Sequence, residues 1–356
     1  MKACFLIRPG KIELLKTKIP KASEGELLVK IKAALTCGTD LKAFSRGHHV
    51  IPMPGVFGHE FSGIVADAGK GVRKFKKGDE KMAVHSAPCI KCRYCKKGLC
   101  NLCENIMDTK VLGAFAEYIL LPPHIVKQNV FHKPGNLTFK EAAFLEPLSC
   151  VVHGMQELKI KEREKALIIG AGPIGLLHLL LLKNKGADVI ITGLEKKRLA
   201  LAKKLGASVT IIPENNPPSP PFSKGGMGGF SEKLKRAIDK FTGGLGVDYV
   251  FECTGQPDIW QSSVNYVRRG GTVILFGGCK SETTVTYDTG RLHYDEITLK
   301  GVFHFTPDDV RQAYSLLKSR KIKVSKLITG EYPLKDTEKA FLKLTKGKGI
   351  KYAIIP

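Results

Sequence analysis

Four cysteines, Cys89, Cys92, Cys95 and Cys103, follow the spacing C-x2-C-x2-C-x7-C. Two-residue spacers let neighbouring sulfurs converge on one ion, so the run fits a tetrahedral zinc site. Four protein ligands leave no open position, which makes the expected role structural. Pro88, Lys91, Arg93, Lys96 and Lys97 lie among the sulfurs, and the cations offset the negative charge of a four-thiolate centre. Cys100 is out of register and is read as a bystander. Four unrelated thiols or a redox pair are the competing readings, and the spacing favours metal.

A second set is dispersed: Cys37-Gly38-Thr39-Asp40, then Gly58-His59-Glu60, then Glu146-Pro147. Thiolate, imidazole and carboxylate together suit zinc with one position left for water or substrate. Each piece alone is weak. Gly38 and Gly58 flank the ligands and allow tight turns.

A third group is glycine-rich. Ala166-Leu167-Ile168-Ile169 runs into Gly170-Ala171-Gly172-Pro173-Ile174-Gly175. A G-x-G-x-x-G that follows a strand and opens a helix is a dinucleotide-binding turn. Gly170 allows the turn, Gly172 lets backbone approach the pyrophosphate, and Gly175 permits close helix packing. The pyrophosphate belongs at the helix N-terminus.

The elements that hold these groups divide the chain. Residues 1–150 read as mostly β, with short apolar runs (Leu27–Ile31, Phe61–Val65) separated by turns at Gly69, Gly71, Gly78-Asp79 and Pro122-Pro123. From Lys165 short apolar strands alternate with helical stretches, the βαβ pattern of a parallel sheet. Strands are expected at Ala166–Ile169, Val189–Thr192, Val209–Ile212, Tyr249–Glu252 and Thr272–Phe276. The domain expectation is therefore 1–150, 151–303 and 304–356. The last piece carries a helix at Asp308–Ser319 and a strand at Ala353–Ile355, and returns to the first domain. Pro213 to Phe230, rich in Pro and Gly, is read as a flexible insertion.

Composition sets limits. The hydrophobic fraction is 43% and the charged fraction 25% across 356 residues, ordinary globular usage for two domains. The longest apolar stretch, Ile174 to Leu182, is interrupted by His178 and ended by Lys183, so no membrane span is expected. No leader is read at the N-terminus, and the expected compartment is the cytoplasm. There the ten cysteines are metal ligands or buried thiols. The net charge of +24 is spread along the chain. It suits a solvated surface, or a field that attracts anionic cofactors and phosphorylated substrates. No nucleic-acid partner is expected, because no basic arm with interleaved aromatics occurs.

In order and spacing, these motifs resemble the medium-chain zinc alcohol dehydrogenases, most closely the sorbitol (polyol) and threonine dehydrogenase branch. The resemblance covers nearly the whole chain except the insertion. It implies an α/β fold: a Rossmann doubly wound parallel sheet plus a mostly β, GroES-like catalytic domain. It implies two zinc ions per chain, one catalytic and one structural, with NADP or NAD. Cys37, His59 and Glu146 would hold the catalytic zinc, with Glu60 a ligand or exchanging neighbour. Asp40 would fix the His59 ring, and Thr39 would hydrogen-bond the substrate hydroxyl. Thr39, Asp40 and Glu60 are thus the catalytic candidates. The reaction implied is hydride transfer between a secondary alcohol (a polyol, sugar or hydroxy-amino acid) and the nicotinamide. A quinone or enone reductase and a non-catalytic cofactor binder are the alternatives on the same fold. A homodimer or homotetramer is expected by analogy.

Two positions depart from the pattern. Where many relatives carry a relay histidine, this chain has Lys42, which relays a proton, binds an anionic substrate group or is simply solvated. At the end of the second strand, where an acid reads the adenosine ribose, stands Gly193. Glu195, Lys196, Lys197 and Arg198 follow. Glycine with clustered cations favours NADP, and Glu195 turned inward would favour NAD. Thr254, with Cys253 and Gly255, ends a later strand on the nicotinamide side. Phe44, His48, His49 and Phe115 are candidates to line the substrate pocket.

Overall fold

The computed structural model describes residues 1–213 and 232–356. The insertion expected over 213–230 lies, apart from Pro213, outside them. The described residues form two units, Met1–His153 with His304–Pro356, and Gly154–Phe303. The boundary expected at 150 falls inside the helix Leu145–Gly154.

In the first unit the strand Leu27–Leu35 is central. It exposes only Lys30 and Lys32, and its last three residues, Ala33, Ala34 and Leu35, are buried. Such an end needs cover on both faces. The sheet around it runs Ile328–Pro333, Lys351–Ile355, Leu27–Leu35, Glu60–Ala68, Glu80–Ala83, Val130–His132, with Tyr118–Leu121 also paired to Leu27–Leu35. Register carries function here. Leu35 lies opposite Glu60 on one side and Ala353 on the other. Pro122-Pro123, read as a turn, is a helix start: Pro122 caps and Pro123 opens Pro123–Gln128, where its missing N–H costs nothing.

Four phenylalanines fill the space beneath the sheet. Ring centroids lie 5.6 Å apart for Phe44–Phe341, 4.8 Å for Phe57–Phe115 and 5.7 Å for Phe115–Phe341. Phe44 and Phe115 are therefore packed in this core. Their aromatic partners lie far off in sequence, and burial of both rings follows from that packing.

The second unit is a six-stranded sheet in the order Val209–Ile211, Asp188–Thr192, Lys165–Ile169, Val247–Glu252, Val267–Leu275, Thr298–Gly301. Every pairing is parallel. This is the doubly wound order, with its switch point between Lys165–Ile169 and Val247–Glu252. The sixth strand escaped the sequence reading because Thr298–Gly301 is short and half-exposed at the edge. The fifth starts earlier than expected because Arg268-Arg269-Gly270-Gly271 reads as a turn yet stays in the ladder.

The helix Pro173–Asn184 is buried over most of its circumference. His178 on it has no exposed surface. It packs against Phe251 at 4.7 Å and Phe276 at 5.0 Å. Neither ring nitrogen has a hydrogen-bond partner among the described residues. Burial alone pushes its pKa down to about 3. Below about pH 6.5 an unfolded histidine takes a proton that this folded one refuses until about pH 3. Stability must then fall as pH drops through that window, by at most about 1.4 kcal/mol per unit. His178→Leu should raise the unfolding midpoint, and the gain should be larger at pH 5 than at pH 8. Thermal melts at both pH values check this; an equal gain would mean that His178 does not titrate on unfolding.

Candidate functional site

Where Leu27–Leu35 ends, the chain passes through buried Thr36 to Cys37, which caps the helix Gly38–Arg46. The Leu35–Glu60 pairing brings Glu60 beside it, with His59 one residue before. Ligand atoms of Cys37, His59 and Glu60 lie within 4.8 Å of one another. Asp40, fully buried in the helix's first turn, sets Oδ1 3.3 Å from His59 Nδ1. Thr39, half-buried, shares that turn.

The charges explain what this group wants. Burial pulls His59 toward neutrality, but Asp40 and Cys37 outweigh it and raise its pKa well above the imidazole range. Burial raises Glu60 to about 7 against the pull of Lys351, and Glu146 adds to the rise. Burial also raises Glu146. Thiolate and carboxylates thus crowd a dry pocket whose buried cation is Lys351. Lys351 Nζ is paired with Glu60 and donates to Thr36 O at 2.7 Å. Glu60 Oε1 has no hydrogen-bond partner among the described residues. Sulfur, nitrogen and oxygen donors around surplus negative charge fit a zinc ion.

Glu146 is not among the three converging residues. Its Oε1 lies 3.5 Å from His85 Nδ1 and accepts from Cys150 Sγ at 3.7 Å. His85 tilts against His59 at 5.0 Å and meets His304 edge-on at 5.5 Å. His304 Nε2 is paired with Ser86 Oγ at 2.6 Å and stacks on Phe305 at 4.1 Å. Its φ of 62° is left-handed, a strain of about 1–3 kcal/mol that packing must sustain. Burial pushes the pKa of His304 down to about 3. Sequence reasoning missed Lys351, His85, Cys150 and His304, because no local spacing marks any of them.

The four-cysteine loop closes on itself. Sulfurs of Cys89, Cys92, Cys95 and Cys103 lie within 4.8 Å of one another, and Cys100 is not among them. Backbone N–H groups turn toward them: Lys91 and Cys92 donate to Cys89 Sγ at 3.4 Å, and Cys89 donates to Cys103 Sγ at 3.3 Å. Backbone donors, Cys95 and Glu104 foremost, lower the Cys92 pKa to about 6. Burial and then the neighbouring sulfurs raise Cys95. Four sulfurs so placed cannot all ionise unless a cation joins them, which fits zinc.

In the other unit, Gly170 ends the first strand at φ 109°. A Cβ on Gly175 would stand 1.9 Å from Gly170 O, so only glycine allows that approach. Gly172 caps the helix that Pro173, Ile174 and Gly175 begin, and nothing lies within 4 Å of where its Cβ would be. Thr254 N and Gly255 N donate to buried Glu252 Oε1 at 2.6 and 3.1 Å. That carboxylate pins the turn at the switch point. A Cβ on Gly193 would sit 2.8 Å from Ala171 Cβ. Glu195 caps the helix Lys196–Lys204 and lies 3.7 Å from Arg198 Nη1.

Comparison with known proteins agrees with both units. Residues 23–131 match the model of the alcohol dehydrogenase GroES-like domain, and residues 173–319 that of zinc-binding dehydrogenases. The chain is 32% identical to D-arabitol-phosphate dehydrogenase of Enterococcus avium, over 99% of this chain and 97% of that protein. It is 34% identical to L-threonine 3-dehydrogenase of Bacillus velezensis, over 95% and 93%. A structure from Sinorhizobium meliloti, described as a zinc-binding dehydrogenase bound to NADP, superposes with TM-score 0.85 at 29% identity, covering 100% of this chain and 99% of that one.

Replacing Cys95 by Ser should cost the loop its metal. Elemental analysis is expected to find about one zinc fewer per chain, and the unfolding midpoint should fall by several degrees. Unchanged metal content would remove the loop as a zinc site.

Proposed function

The chain belongs to the medium-chain zinc-dependent alcohol dehydrogenase family, and on that premise we propose that Cys37, His59 and Glu146, with Glu60 as neighbour or exchanging ligand, hold the zinc that acts on substrate. As a member it is an NAD(P)-dependent oxidoreductase of small-molecule alcohols and polyols. The observation that carries the site reading is the convergence of Cys37, His59 and Glu60 in a buried, anionic pocket. Zinc in such a site supplies Lewis acidity, and bound nicotinamide supplies the hydride acceptor. Asp40, 3.3 Å from His59 Nδ1, would steady that ring and leave Nε2 for the metal. Lys351 pulls Glu60 toward the ionised form against the burial that raises it and, itself donating to Thr36 O, fixes its position. Thr39 accepts the hydrogen bond of the substrate hydroxyl and passes its proton outward. His85 and His304 wall the same pocket.

For the cofactor we favour NADP. Gly193 leaves no acid to repel a 2′-phosphate, and crowding by Ala171 opposes any larger residue there. Glu195 lies toward Arg198, and the cations Lys196, Lys197 and Arg198 follow the strand end. The NADP carried by the Sinorhizobium meliloti structure supports the same choice.

No helix among the described residues is long and apolar enough to cross a membrane. Four convergent thiols support a reducing, cytoplasmic setting. A homodimer or homotetramer is favoured by the edge strand Thr298–Gly301, near which Tyr294 and Phe303 are exposed.

Two tests apply. Glu146→Ala should lose the zinc of the Cys37 site and keep that of the cysteine loop; unchanged metal content would take Glu146 out of the ligand set. Fluorescence titration should show tighter binding of NADPH than of NADH, and Arg198→Ala should weaken NADPH about tenfold while leaving NADH alone. Tighter NADH binding in the native protein would instead assign the ribose to an acid such as Glu195.

A further inference from the structure

Glu146 is the second residue of the helix Leu145–Gly154 and is almost fully buried. Two groups reach its carboxylate, and both reach the same oxygen. Cys150, one helical turn on, donates to Oε1 at 3.7 Å, and His85 Nδ1 lies 3.5 Å from that oxygen. His85 Nδ1 is itself buried and has no hydrogen-bond partner among the described residues. The 3.5 Å contact is a few tenths of an ångström longer than a formed N–H···O bond. A bare nitrogen lone pair facing a carboxylate is repelled by it, so the ring proton belongs on Nδ1.

The fold leaves His85 little freedom. It follows closely on the strand Glu80–Ala83. Its carbonyl accepts from Val111 N at 2.8 Å, and Val84 N donates to Asn129 O at 3.3 Å. Asn129 Nδ2 donates to Ser86 O at 2.8 Å, so the backbone is tied on both sides of His85. The ring packs against His59 at 5.0 Å and edge-on to His304 at 5.5 Å and Phe305 at 6.0 Å. Ser86 Oγ, 2.6 Å from His304 Nε2, steadies one of the rings that brace it. One imidazole therefore packs on His59, a member of the converging set, and faces the carboxylate that stands outside that set.

We propose that His85 is a positioning residue for the zinc of the Cys37 site: its Nδ1–H, together with Cys150 Sγ–H, holds Glu146 by Oε1 and leaves Oε2 for the ion. The inference rests on the reading of Cys37, His59 and Glu146 as ligands. A free glutamate loses side-chain freedom when it binds an ion; one already held by a single oxygen loses less. Partners that orient a ligand in this way are worth about 10–100-fold in metal affinity. The pairing mirrors that of Asp40 with His59. There a carboxylate orients an imidazole, and here an imidazole orients a carboxylate. Neither His85 nor Cys150 has to touch the substrate for this.

The test is zinc affinity, read by elemental analysis after the full-length protein has equilibrated with a competing zinc chelator. The zinc of the cysteine loop serves as the internal reference. Three variants divide the roles of the ring. His85→Asn keeps an N–H where Nδ1 stands, His85→Gln moves it to where Nε2 stands, and His85→Phe keeps an aromatic ring without either nitrogen. His85→Phe and His85→Gln should bind zinc at the Cys37 site about 10–100-fold more weakly, while His85→Asn stays close to the native protein. The visible spectrum of the cobalt-loaded protein should change in the same two variants and hold in His85→Asn. Native zinc binding by His85→Phe and His85→Gln overturns the proposal. So does His85→Asn binding as weakly as His85→Phe, which marks a role in packing, or His85→Gln alone matching the native protein, which marks a role for Nε2. Should His85→Phe fail to fold, the comparison of Asn with Gln decides by the same criteria. The ligand reading is tested apart, by Cys37→Ser. Zinc content unchanged in that variant removes the reading and this proposal together; zinc lost there but indifferent to His85 removes the proposal alone.

Discussion

The buried pairing of Glu60 with Lys351 governs the catalytic unit. Glu60 has no exposed surface and Lys351 almost none, and an isolated charge at such depth is untenable. Breaking one buried pair of this kind costs about 3–5 kcal/mol. The pair forms because both strands that carry it flank Leu27–Leu35. The same register delivers Cys37 at the strand end. Fold and site are thus one arrangement, in which sheet register decides which donors meet and a lysine makes the carboxylate admissible.

Charge is arranged differently at the surface and in the site. The chain carries +24 overall, yet around Cys37 two buried carboxylates, Glu60 and Glu146, gather with Lys351 and His59. Screening confines surface charges to about 8–10 Å at physiological salt, while the dry pocket keeps its own field. The outer field draws phosphate-bearing molecules toward the protein, and the inner one holds a dication. The helix Gly38–Arg46 spans both regimes, with Asp40 buried beneath and Lys42 and Arg46 above.

What was legible in the sequence follows from locality. Cys89 to Cys103 and Gly170 to Gly175 are short runs, so spacing alone exposes their purpose. The strand pattern from Lys165 onward was legible because a parallel sheet buries both faces. Lys351 was not, because a lysine in a short apolar strand carries no mark of its partner 291 residues away. His85 and His304 were missed for the same reason, since they meet only in space. Phe44 and Phe115, expected as pocket lining, pack in the core beneath the sheet. Phe44 follows Cys37 closely in sequence, but an aromatic ring near a site is as readily its foundation as its wall.

The separation of Glu60 from Lys351 also has a meaning in time. Between them in the chain lies the whole unit Gly154–Phe303. A ribosome that has delivered Cys37, His59 and Glu60 must still synthesise that unit before the counter-ion emerges. The sheet of the first unit therefore waits, its central strand lacking the neighbour Lys351–Ile355. The parallel-sheet unit, whose strands are contiguous, folds while the first remains open. A nascent chain is thus expected to keep an unfinished, partly apolar half while Gly154–Phe303 is being made, an interval suited to chaperone binding. Because the inserted unit is encoded inside the other, the pair that closes the site forms only after that unit has been made.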